Sequence, residues 1–80
     1  MKKVIKFEKP GCQPCEMVSA VLDEAGVLFE AINPFDQPDL AVKYKIRSVP
    51  TVVVLDGETE VERIIGFDAG RLRQLAELDG

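Results

Sequence analysis

Residues 51–55, Thr51-Val52-Val53-Val54-Leu55, form an unbroken run of β-branched and aliphatic side chains between Ser48-Val49-Pro50 and Asp56-Gly57. Successive side chains of a strand point to opposite faces, so a run without a polar parity asks to be covered on both. Asp56-Gly57 is a strong hairpin signal, and residues 60–65 read as the returning antiparallel strand. Glu58, Glu60 and Glu62 alternate there with Thr59 and Val61, which assigns the acids to the wet face.

The rest of the chain supplies the cover. Val4, Ile5 and Phe7 stand among Lys2, Lys3, Lys6 and Lys9 in a short strand, the lysines reading as solvated edge positions. Val18, Val21, Leu22 and Ala25 then repeat at i, i+3, i+4, i+7, one face of a helix, and Gly26 is its stop. Residues 27–33 read as a second strand broken by Asn33-Pro34, and about residues 37–45 as a shorter helix with Leu40 and Tyr44 four apart. After Gly66, Asp68 is a good N-cap for a last helix buried along Leu72, Leu75 and Ala76. The order β-α-β-α-β-β-α implies a right-handed crossover with a parallel first pair, followed by an antiparallel hairpin. The predicted fold class is α/β, a four-stranded mixed sheet with helices on both faces, forming one domain over residues 1–80.

Composition narrows the function. Ten Lys and Arg against fourteen Asp and Glu give a net charge of −4, which argues against nucleic acid or an anionic membrane as the main partner. There is no histidine, so Ser-His-Asp and Cys-His catalysis and His-ligated metal sites are excluded. Two cysteines are too few for a disulfide-stapled secreted fold. No stretch approaches the ~18 apolar residues of a membrane span, and Met1-Lys2-Lys3 leads into no apolar signal core. A cytoplasmic location is expected, where a close cysteine pair is a chemical device or a metal clip.

Cys12-Gln13-Pro14-Cys15 falls at the junction of the first strand and first helix. Unpaired N–H groups and the positive end of the dipole stabilise an anion there, so the Cys12 thiolate is favoured. An exchange nucleophile works best with a pKa near ambient pH, because ionisation and intrinsic reactivity trade off. Cys15, one turn further in, can attack the mixed disulfide formed by Cys12 and release reduced product. Pro14 suits a helix start, where its missing N–H would be orphaned anyway. Gln13 is a neutral filler, Lys9 the nearest cation, and Glu16 a first-turn acid. A zinc clip needs four ligands, and one chain offers two thiolates, so metal would require a second chain or outside ligands. Dithiol–disulfide exchange is the preferred reading, with no metal.

These features, with residues 44–55 (Tyr-Lys-Ile-Arg-Ser-Val-Pro-Thr-Val-Val-Val-Leu), the Asp56-Gly57 hairpin and Gly66, resemble the thioredoxin-like superfamily over nearly the whole chain. The length is that of a glutaredoxin, without the extra N-terminal strand and helix of ordinary thioredoxins, and is similar to small redoxins of bacteria and phages. The resemblance implies a thiol–disulfide oxidoreductase with Cys12 as nucleophile, Cys15 as resolving thiol, and no bound cofactor beyond the redox-active disulfide. Thioredoxin itself, at a pKa of ~7 against ~8.5 for free cysteine, is the family's own example of an acidified thiol. On the residues alone Pro50 reads as a trans loop proline, since cis is found at only ~5–6% of X–Pro bonds. The resemblance implies instead that Pro50 is cis beside the cysteine pair, with the Val49 backbone pairing with an extended substrate segment. Gly66 and Phe67 would contribute to the same substrate surface, Phe67 as an exposed contact or as a core residue.

Two positions depart from the family. Thioredoxins place a buried acid six residues before the first cysteine, thought to assist proton transfer; here it is Lys6, which reads as an outward-pointing strand lysine. No tryptophan precedes the pair, and Gly11 stands there instead. Glutaredoxins carry Cys-Pro-Tyr-Cys, Thr-Val-Pro and a Gly-Gly pair ahead of an aspartate that holds glutathione. This chain has Gln-Pro between its cysteines, Ser48-Val49-Pro50, and Gly66-Phe67-Asp68, with Asp68 better read as a helix cap. The implied donor is a flavoprotein thioredoxin reductase, with glutathione as the alternative. The implied recipients are protein disulfides, such as that of ribonucleotide reductase, and the protein would act as a monomer. A different class, a non-catalytic interaction module on the same fold, would leave both thiols idle.

Overall fold

The computed structural model describes residues 2–77. The elements are β1 (Lys2–Phe7), α1 (Gln13–Glu24), β2 (Glu30–Ile32), α2 (Pro38–Lys43), β3 (Thr51–Asp56), β4 (Thr59–Ile65) and α3 (Ala69–Gln74), the last running into a 3-10 turn, Leu75–Glu77. The strands form one sheet in the order β2-β1-β3-β4. β1 runs parallel to β2 and antiparallel to β3, and β3 pairs antiparallel with β4. This is the mixed α/β sheet predicted, but β1 lies inside it, not at an edge.

Both faces of β1 and β3 are covered, as the apolar run requires. Val52, Val54 and Ile64 pack against Val18, Val21, Leu22, Leu72 and Leu75 of α1 and the C-terminal helical segment. On the other face Ile5, Phe7, Ile32, Val53 and Leu55 pack under Leu40 of α2, its C-cap Tyr44, and Ile46 and Val49. The Phe7 and Tyr44 rings meet with centroids 6.0 Å apart.

The helix ends follow local chemistry. Gly26 takes φ 74°, and the amides of Gly26 and Val27 bond back to Asp23 and Leu22, closing α1 in a Schellman turn. Val27 is thereby spent on that turn and Leu28 is left 91% exposed, so β2 is shorter than residues 27–33. α2 ends at Lys43, short of the predicted Lys45, because Lys45 turns left-handed and the Lys45 and Ile46 amides bond to Val42 and Ala41. Asp68 caps α3 by accepting from the Arg71 amide at 3.2 Å. The chain tightens at Leu75, which moves Ala76 off the predicted stripe and into solvent.

Two charge assignments are corrected. Lys6 is buried at 1% exposure, on the α1 face with Val4 and opposite Val52. The acids of the hairpin do not share a wet face either. A β-bulge makes Val54 pair with Glu62 but Leu55 with Glu60, leaving Val61 as the extra residue, so Glu60 and Glu62 point to opposite faces. Glu62 meets Arg71 of α3, whereas Glu60 holds Arg63, whose guanidinium also donates to the Tyr44 carbonyl at the end of α2.

Three outcomes follow. Leu22→Ala, at a fully buried α1 position, is expected to lose about 2–5 kcal/mol in chemical denaturation, and Asp68→Ala about 1 kcal/mol. Hydrogen bonding and charge from Arg63 hold the Glu60 carboxyl below its usual range. Its stabilisation should therefore be present above the unfolded carboxylate pKa and fade as pH falls through the lower folded value. Glu60→Gln should be slightly less stable than the parent near neutrality, with the gap closing in acid.

Candidate active site: a cysteine pair at the start of the first helix

The register places the site at one end of the sheet. Phe7 pairs with Thr51, and Thr51 pairs with Ile65, so residues 8–12, 48–50 and 66–67 leave the strands at the same end. Gly66 donates its N–H to the Pro50 carbonyl at 2.9 Å, and its φ of 78° is a left-handed value that glycine adopts freely. Thr51 Oγ1 donates to the Ser48 carbonyl at 2.7 Å, fastening the loop just before β3. The Val49–Pro50 peptide bond is cis. Pro50 is buried, Val49 half-buried and Phe67 exposed.

Cys12 is the N-cap of α1, with extended backbone (φ −104°, ψ 104°), and Pro14 occupies the first turn. The Cys15 backbone N–H donates to Cys12 Sγ at 3.1 Å. A sulfur therefore occupies the position where a cap oxygen would satisfy an orphan helix donor. Cys12 and Cys15 are joined in a disulfide with Cα atoms 5.2 Å apart. Both residues are buried, Cys12 at 7% exposure and Cys15 at 2%. Gln13, Pro14 and Gly11 are exposed around them.

A cleft of about 450 Å³ opens beside the pair, with Lys6, Glu8, Lys9, Ser19 and both cysteines in its wall. A second groove of about 330 Å³ passes Phe35, Ile46, Arg47 and Val49, and Lys9 stands between the two. Asp68 Oδ1 accepts the Arg71 amide, the capping role. Among the described residues, no three His, Cys, Asp or Glu side chains gather to hold a metal ion, and no helix is long and apolar enough to cross a membrane.

Sequence reasoning missed the buried Lys6, whose ammonium bonds to Glu8 and to Ser19 Oγ of α1. The sequence offers its counter-charge two residues on, at Glu8, but nothing local to Lys6 marks β1 as an inner strand.

A family model described as the thioredoxin domain matches residues 1–63. The chain is 35% identical over 74 residues to the SPbeta prophage-derived thioredoxin-like protein YosR of Bacillus subtilis, spanning 91% of this chain and 92% of that protein. It is 38% identical to a thioredoxin of Pyropia yezoensis over 79% of this chain, and there it spans only 64% of the relative. Among solved structures, thioredoxin NaTrxh of Nicotiana alata superposes with a TM-score of 0.84 at 26% identity, over 96% of this chain and 71% of that one. With its Cys12–Cys15 disulfide at the head of α1, the chain belongs to the thioredoxin family and is a thiol–disulfide oxidoreductase.

Proposed function

We propose that the protein is a dithiol reductant of protein disulfides. The observation that carries this is the Cys15 N–H bonded to Cys12 Sγ at the helix start. In the reduced protein that donor and the helix dipole would face a thiolate, lowering the pKa of Cys12 towards ambient pH. Cys12 thiolate attacks a substrate disulfide, forming a mixed disulfide and expelling one substrate thiolate. Cys15 then attacks Cys12 Sγ, the Cys12–Cys15 bond forms, and the second substrate thiolate leaves with the electron pair of the broken bond.

Gln13 and Pro14 frame the pair, and in this reading the Val49 backbone, beside Pro50, pairs with an extended substrate segment. Gly66 and Phe67 flank it; the exposure of Phe67, 41%, supports a contact role over a core one. We assign reduction to a flavoprotein thioredoxin reductase, supported by relatives named thioredoxins and by Asp68 serving as a helix cap. Ribonucleotide reductase is a recipient of fitting chemistry. The protein would work as a cytoplasmic monomer, with no cofactor beyond the disulfide and no nucleic acid or membrane partner.

The test is insulin disulfide reduction driven by dithiothreitol. The parent should accelerate it and Cys12→Ser should fall to background; equal rates would make the pair idle and the protein a binding module. Coupling the assay to NADPH with thioredoxin reductase should sustain turnover, whereas turnover with glutathione and its reductase alone would reassign the donor. A reductant should equilibrate near the thioredoxin value of about −270 mV, far from the about −120 mV of an oxidant. In the reduced protein, alkylation at limiting iodoacetamide should mark Cys12 before Cys15.

A further inference from the structure

Lys6 is the one buried cation among the described residues, and the exchange chemistry above makes no use of it. Its ammonium bonds to Glu8 and to Ser19 Oγ and stands 5.8 Å from the centroid of the Phe29 ring. Ser19 lies four residues after Cys15, so the two share a flank of α1 about one turn apart, ~6 Å along the axis. Lys6, Ser19 and both cysteines line one cleft. A unit charge is thus fixed near the resolving sulfur, which is itself 2% exposed.

Taking an ammonium out of water is costly, and Val4, two residues earlier on the same face, is apolar. The groups facing Cys15 across the cleft are Lys6, Glu8, Lys9, Glu16, Asp23 and Cys12. Lys9, Glu16 and Asp23 are exposed, where water and salt screen them. Glu8 is the counter-ion, but its side chain is 36% exposed against 1% for Lys6. Its field is therefore screened more than that of the ammonium.

We propose that the buried Lys6 ammonium favours the Cys15 thiolate, making Lys6 a positioning residue for the resolving step. This rests on the reading of the pair as a carrier of electrons to protein disulfides. In that step the Cys15 S–H gives its proton to solvent in the cleft. Its thiolate attacks Cys12 Sγ, the ring disulfide forms as the mixed disulfide breaks, and the substrate sulfur leaves as a thiolate.

The experiment is a titration of thiolate ultraviolet absorbance in protein carrying Cys12→Ser, so that Cys15 is the sole thiol. Lys6→Met is expected to raise the Cys15 midpoint by about one pH unit, and Lys6→Arg to keep it near the parent value. Lys6→Gln also removes the charge while keeping a polar end towards Glu8 and Ser19, is expected to raise the midpoint likewise, and decides the matter if Lys6→Met does not fold. A folded neutral variant at Lys6 with an unmoved or lowered midpoint overturns the proposal. The readout needs no reductase and no insulin, so a failure of the proposed activity and a failure of this inference are told apart.

Discussion

The hydrogen bond from the Cys15 amide to Cys12 Sγ exists because α1 begins where the chain has just left an inner strand of the sheet. β1 is held on both sides, by β2 and by β3, and so delivers the residues after Phe7 to a fixed point at one end of the sheet. The first turn of the helix then has unpaired donors, and a sulfur is placed to meet one of them. Everything chemical in the molecule depends on that junction being rigid. The packing of Val18, Val21 and Leu22 against Val52, Val54 and Ile64 makes it so.

The same register explains why distant segments converge. Pro50 and Gly66 are sixteen residues apart, yet the Thr51–Ile65 pairing brings them into backbone contact, with Gly66 donating to the Pro50 carbonyl. Phe67 follows directly and stays exposed. An exposed aromatic is thereby carried at the same end of the sheet as the cysteine pair. Arg63 works on the opposite side of the hairpin, tying Glu60 to the Tyr44 and Lys45 carbonyls just past α2. It fastens a helix with no side-chain N-cap of its own.

Much of this was legible in the residues. The all-apolar parity of residues 51–55 required cover on both faces, Asp56-Gly57 marked the hairpin, and Gly26 and Asp68 marked a helix end and a helix start through their own backbone and side-chain chemistry. The Cys-x-x-Cys pair was readable for the same reason, since its position after a strand fixed its electrostatics. What local pattern could not show depended on neighbours. Lys6 reads as solvated until β1 is held between β2 and β3 with α1 over its Lys6 face, which closes water from the last three residues of the strand while Lys2 and Lys3 stay exposed. The Glu60–Glu62 alternation broke because Val61 bulges, a property of the pairing with Val54 and Leu55 that neither strand announces alone. β2 lost its first residues to the Schellman turn that Gly26 itself had signalled.

The most direct measurement is the thiolate titration of Cys12 in reduced protein carrying Cys15→Ser, followed by ultraviolet absorbance. If the start of α1 stabilises a sulfur anion, the midpoint lies clearly below the ~8.5 of free cysteine. A midpoint at or above that value would mean that the helix end does nothing for the sulfur, and the account of this chain as an electron carrier would be contradicted at its origin.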